Sequence, residues 1–239
     1  MEDDTTLDIL VTVDASDPSS PTTDLIELLQ SHTLYVLGYW NVPDQATPGQ
    51  LRSQFNDEAT SAVEEIAKTF AEAGAAVESR VIFTHDWYVS VDSFAAEQDV
   101  DCILTLDAFH ERVEHVLVPL RGDANLERIV HVVGLLLRGS NSRATLFNVA
   151  DDEEAAQTGE FILRGACDRL EDEGIPGSRL NWRQAWDHSP HQEILDVADE
   201  YDLIVVGESE PSLTERVFGR VTNQVIAKSP IPVMVVRRH

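Results

Sequence analysis

The sequence predicts a soluble parallel α/β protein, and three observations predict it. Short runs of Val, Ile and Leu without polar alternation recur along the chain, the pattern of strands covered on both faces. Segments of helical periodicity separate those runs. The closing stretch, 202–238, shows the whole unit: a buried strand, a glycine-bounded loop, an amphipathic helix and a second buried strand.

In chain order, Leu7 to Asp14 is an apolar strand and Thr33 to Leu37 a second one. Ala59, Ala62, Val63, Ile66, Phe70 and Ala73 make one helical face, with Gly74 as the C′ stop. Asp86 begins a helix that leads to the apolar run Val100-Asp101-Cys102-Ile103-Leu104. His115 to Leu120 opens a new series, and Leu126, Val130, Val133 and Leu137 form a helical face closed by Gly139. Thr145 to Val149 is the next strand. Cys167 shares a helical face with Leu163, Ala166 and Leu170. Ser189-Pro190-His191-Gln192 reads as an N-cap, a proline at N1 and a capping glutamine at N3. The run Leu203-Ile204-Val205 follows, then a helix over 212–228 on which Leu213, Val217, Val221 and Val225 step by four. Ile231 to Val236 is the last strand.

The chain resembles itself. The strand at Leu7 corresponds to that at His115, Thr33 to Leu37 answers Thr145 to Val149, and the helix from Asp86 leading to the run Val100 to Leu104 answers the helix after Asp187 leading to the run Tyr201 to Val205. Two copies of a unit of about a hundred residues follow from this period. The second copy runs through five strands, whereas the first stops after Leu106, because 107–114 is too short for a fourth helix and fifth strand. The expected domains are 1–110, truncated, and 111–239, complete.

Composition narrows the function. A net charge of −26, spread over every segment, repels nucleic acid and anionic lipid. With just two lysines, Lys68 and Lys228, the surface suits molar salt, where screening lengths fall to about 3 Å. A halophilic source is therefore expected, with partial unfolding at low salt. No apolar run approaches the roughly 20 residues of a membrane span. The acidic opening Met1-Glu2-Asp3-Asp4 is unlike a secretory signal, so a cytoplasmic location is expected. Cys102 and Cys167 read as buried reduced thiols.

Val205-Val206-Gly207-Glu208-Ser209-Glu210-Pro211 ends a parallel strand on a glycine ahead of a helix, a common way to offer backbone N–H groups to phosphate. With Gly219 and the Ile231-Pro232-Val233 entry to the final strand, this stretch resembles the universal stress protein family. The resemblance is close over the closing unit and looser over 115–238 and 6–106. It implies two tandem flavodoxin-like or Rossmann-like units, the first incomplete. Members that bind ATP carry a second glycine in the loop, a hydroxyl residue after the later glycine, and an aspartate ending the first strand. This chain has Glu208-Ser209-Glu210, Arg220 and Arg121 at those places, while the first copy keeps Asp14 without a phosphate loop. What the resemblance leaves is an altered nucleotide loop composed of Gly207, Gly219, Arg121, Arg220 and Thr222.

Two carboxylates beside a triphosphate repel it by roughly 1 kcal/mol or more each. Arg121 or Arg220 pairing with Glu208 and Glu210 is therefore the expectation, with no cofactor bound; ATP is the alternative. His110 and His115 are five apart, about 140° on a helix, and so do not share a metal. Ser209 has acidic neighbours and no nearby histidine, so neither a catalytic residue nor a metal site is expected. Nucleotide hydrolysis, known in the wider fold group, ranks last. The resemblance implies a non-catalytic regulatory module that works by association. The resemblance also implies final strands paired across a dimer axis; because the first copy lacks one, Ile231 to Val236 is expected to be left as an exposed apolar edge and to carry a homodimer.

Overall fold

A computed structural model describes residues 5–106, 112–122, 125–208 and 220–238, with the backbone alone at 220. The chain divides into two compact units, Met1–Phe109 and His110–His239. Unit 1 runs β1 (Asp8–Asp14), α1 (Thr23–Leu29), β2 (Thr33–Asn41), α2 (Pro48–Ala73), β3 (Ala76–Thr84), α3 (Trp87–Gln98) and β4 (Cys102–Thr105). Its strands are parallel in the order β3-β2-β1-β4. Ile9, Leu10 and Val11 of β1 lie fully buried between the helical layers, which is why this strand reads as unbroken apolar sequence.

Helix α2 begins before its apolar face does. Thr47 and Gln50 form a capping box around Pro48, and Gly74 closes the helix in the left-handed region at φ 115°. Asp86 caps α3 by accepting the Val89 N–H. Trp40 stacks on Phe55 and Phe83, and Trp87 meets Tyr39 and Tyr88 edge-on.

Unit 2 runs β5 (His115–Pro119), α4 (Leu126–Arg138), β6 (Arg143–Ala150), α5 (Glu153–Asp172), β7 (Leu180–Trp186), α6 (Pro190–Val197), β8 (Leu203–Gly207), α7 (Arg220–Lys228) and β9 (Val233–Val236). These strands are parallel in the order β9-β8-β5-β6-β7. The units share a clamp at the start of the first strand. In unit 1 the Asp101 carboxylate accepts the Asp8 N–H while its own N–H bonds the Asp8 carbonyl. In unit 2 Asp202 accepts from His115 and Glu114 and donates to the His115 carbonyl.

Several expectations change. Of the helix expected over 212–228, the described part is Arg220–Lys228, and Leu213 and Val217 lie outside the described residues. Ser189 occupies the N-cap of α6 and Pro190 its first turn, yet the Ser189 side chain makes no cap bond. Asp187 accepts the Ser189 N–H instead, and Gln192 reaches forward to Asp196. The final strand closes one end of the strand order of unit 2, yet it offers no exposed apolar side chains: Ile231 and Val233, Met234, Val235 and Val236 are each at most 2% exposed. Cys102 is buried as expected, whereas Cys167 is half-buried, with burial pushing its thiol pKa up. Among the described residues no helix is long and apolar enough to cross a membrane.

Unit 1 also holds a buried histidine. His32 Nδ1 accepts the Leu7 N–H at 3.2 Å, so the ring is neutral there, and its Nε2 has no partner among the described residues. Burial lowers its pKa, partly opposed by Asp101. The unfolded chain therefore takes up a proton near the ordinary value of about 6.5 while the folded chain resists it. Stability is thus expected to fall as pH drops below that value, towards the lower folded pKa. Urea midpoints at stepped pH should show this slope, and His32→Asn, which keeps an acceptor for Leu7, should flatten it. Equal slopes for both proteins would exclude His32 as the cause.

Candidate functional site

In unit 2, β5 leads through α4 to β6 on one side, while β8 leads through α7 to β9 on the other. Helices leaving in opposite directions open a crevice at the carboxyl ends of β5 and β8, the position where open α/β sheets bind ligands. A cavity of about 410 Å³ occupies it. Leu120, Ile129, Phe147, Ile194 and Val206 give it an apolar wall, and Arg121, Glu208, Thr222 and Arg238 supply its polar groups.

Gly207 ends β8, and packing accounts for it. A Cβ there would lie 2.6 Å from Ile129 Cδ1, so the absence of a side chain lets α4 close on the strand end. The backbone beyond it is engaged as well. The Glu208 N–H bonds the Val236 carbonyl at 2.8 Å, extending the β8–β9 ladder by one residue. The Glu208 carboxylate accepts the Arg238 backbone N–H at 2.9 Å. Thr222 is buried in α7, with its hydroxyl donating to the Gly207 carbonyl at 3.2 Å. The Glu208 N–H and the Thr222 hydroxyl at this strand end are thus already bonded within the protein.

Arg121 follows β5, is exposed, and faces both this cavity and a neighbouring one. Among the described residues it has no ion-pair partner, so the expected pairing with Glu208 is not formed. The side chain of Arg220 and the residues Gly219, Ser209 and Glu210 lie outside the described part. Gly207, Thr222 and Arg121 are therefore the expected site residues that can be placed, and they do converge on one cavity.

The neighbouring cavity, about 680 Å³, lies over the ends of β6 and β7 beneath α5. Its rim is acidic, with Asp151, Asp152, Glu154 and Asp187 beside His188 and His191. Asp152 caps α5 through the Ala155 N–H, and Asp187 holds the Ser189 N–H, so two of these carboxylates have structural work. The cavity wall includes a buried network the sequence reading missed. Asn148 Nδ2 donates to the Leu120 carbonyl at 2.9 Å, and its Oδ1 accepts from Gln184 Nε2 at 3.0 Å. Gln184 also donates to the Ala156 carbonyl of α5. The available signal was a single asparagine inside the apolar run Thr145 to Val149, where an amide needs partners. In unit 1, Asp14 accepts both the N–H and the hydroxyl of Ser16 and so closes its own turn. Among the described residues no group of three metal-ligating side chains assembles.

The chain belongs to the universal stress protein family, whose model matches residues 112–237. Among solved structures it is similar in fold to a universal stress protein from Archaeoglobus fulgidus DSM 4304, at 17% identity and a TM-score of 0.62, covering 97% of this chain and 98% of that one. A functionally unknown protein from Pseudomonas aeruginosa PAO1 aligns at 13% identity and a TM-score of 0.56, covering 97% and 92%. A putative universal stress protein from P. aeruginosa UCBPP-PA14 aligns at 12% identity and the same TM-score of 0.56, covering 97% and 93%. Among curated proteins none matches the chain.

Proposed function

We propose that this universal stress protein is a non-catalytic stress-response module that acts by association, and that its switch-point cavity does not take ATP. The observation that supports this most directly is Glu208. Its N–H is bonded to Val236 and its carboxylate to the Arg238 N–H, at the strand end where a nucleotide-binding loop would present donors to phosphate. A triphosphate there would lose two donors and gain a carboxylate neighbour. The same reading takes the units as tandem copies of one ancestral fold, supported by the aspartate clamp that both share.

Thermal unfolding in molar salt with and without Mg·ATP tests the proposal. A ligand at a hundred times its dissociation constant stabilises by about 2.7 kcal/mol. For a chain of this size that raises Tm by roughly 5–10 °C. The expected shift is below about 1 °C, and a rise of several degrees would overturn the reading in favour of a nucleotide-binding member. Association through the final strand, Ile231 to Val236, draws no support from the burial of those side chains. The exposed apolar surface lies on another edge of unit 2.

A further inference from the structure

Large apolar side chains are rare on the described surface, and three of them gather on one edge of unit 2. Phe161 of α5 is 79% exposed, Trp186 of β7 61% and Trp182 of β7 37%. Strand β7 ends the strand order of the unit and pairs along one side, with β6. The Asp187 N–H bonds the Ala150 carbonyl of β6, so by alternation the N–H groups of Trp182, Gln184 and Trp186 point away from β6. That of Trp182 is held by Asn181 Oδ1 at 2.9 Å, a bond that an incoming strand would replace. The three side chains share the face under α5: Gln184 reaches the Ala156 carbonyl, and the Arg164 guanidinium lies 5.6 Å from the Trp182 ring centre. Phe161 precedes Arg164 by three residues and stands on the same flank of the helix.

We propose that this edge is a docking surface for a second copy of the chain, with two β7 strands pairing antiparallel about Gln184. Charge selects the occupant. The chain carries −26, so copies repel over most of their surface, and a basic partner would be drawn to carboxylates elsewhere. At this edge each arginine is neutralised locally, Arg164 by Glu160 at 2.6 Å and Arg183 by Glu200 at 3.1 Å. Among the described residues no unpaired arginine faces an incoming copy here, and in molar salt, with a screening length of about 3 Å, the repulsion between the acidic remainders is short-ranged.

Pairing of the two tryptophans selects the register, and charge excludes one alternative. The outward-facing residues Trp182, Gln184 and Trp186 must oppose one another for the ladder to form. Pairing centred on Arg183 would set two arginines directly opposite, which is destabilising. Pairing centred on Gln184 sets Arg183 against Ala185 and Trp182 against Trp186, twice over by symmetry. Phe161 from each α5 then covers the seam. The three aromatic side chains expose roughly 350 Å² per copy, taking about 200 Å² as a full side chain. That approaches half of the about 800 Å² per partner in a standard interface, with backbone and helix flank to supply the rest.

Light scattering on size-fractionated protein in molar KCl tests this. The full chain is expected to dimerise, and the double variant Trp182→Thr, Trp186→Thr to dissociate at least tenfold more readily with an unchanged circular dichroism spectrum. Phe161→Glu, on a side chain too exposed to be needed for folding, is expected to act in the same direction. A wild-type monomer at every accessible concentration overturns the proposal, as does a dimer indifferent to all three substitutions. Neither result depends on whether ATP binds, so this surface and the proposed lack of ATP binding fail separately.

Discussion

Replacing Arg179 by alanine is expected to destabilise the protein by about 3 kcal/mol, the largest single loss anticipated for a side chain outside the apolar core. Arg179 follows α5 in the chain but serves α4. Its Nη2 donates to the carbonyls of Leu137 at 2.8 Å, Ser140 at 2.9 Å and Ser142 at 2.6 Å, and its Nε donates to Ser142 at 2.9 Å. Leu137 lies in the last turn of α4 and Ser140 just beyond its cap, where carbonyls run short of helical partners and the helix dipole favours a cation. One guanidinium thus closes a helix end and fixes the turn into β6. A hydrogen bond to a charged group contributes about 1.5–3 kcal/mol, and the four share one side chain, so the total stays well below their sum. Urea unfolding in molar salt should show the loss, accompanied by a fall in Tm of roughly 6–12 °C. Arg179→Lys should recover less than half, because an ammonium has one nitrogen and loses the two-point hold that Nε and Nη2 make on the Ser142 carbonyl. A loss below about 1 kcal/mol for the alanine variant would show that water replaces the guanidinium.

Gly159→Ala is expected to destabilise by about 2 kcal/mol, against the usual direction for a helical glycine. In an exposed helix the same change stabilises by up to about 1 kcal/mol. At Gly159 the added Cβ would overlap Asn148 Oδ1, and would lie 2.6 Å from Asn148 Cγ and 2.7 Å from Gln184 Nε2. Asn148 is 6% exposed, so an amide pushed from its place leaves the Leu120 carbonyl and its own Oδ1 buried without partners. Each orphaned group costs about 1–3 kcal/mol, which outweighs the helical gain. Gly165 on the same helix supplies the control, since a Cβ there meets nothing within 4 Å. Gly165→Ala should be neutral or stabilising. If both glycines respond alike in urea unfolding, the Asn148 network is not what requires Gly159.

The architecture was legible because its causes are local. Apolar runs such as Ile9 to Val11 mark strands buried on both faces, and Gly74 and Asp86 mark helix ends through backbone geometry and capping. The site was legible in part. Gly207, Thr222 and Arg121 do meet at one cavity, since all lie at strand ends or on the helix that follows. Their roles were not legible. Gly207 makes room for Ile129, 78 positions earlier, and Glu208 answers the backbone of Arg238 instead of Arg121. Asn148 and Gln184 were missed because their bond joins neighbouring strands 36 residues apart.

The edge shows the same division. By itself the sequence determined that this chain alternates strands and helices into parallel sheets, carries an excess of negative charge throughout, and ends in an apolar strand. Periodicity, capping and composition act over a few residues or over the whole chain, and both scales can be read without coordinates. Which apolar residues stay exposed was decided by the tertiary structure. Val233 to Val236 are buried, whereas Trp182 and Trp186 remain on the surface. Hydrophobicity states what a side chain gains from burial, but strand order sets whether anything stands beside it to provide that burial, and strand order is settled by contacts distant in the chain.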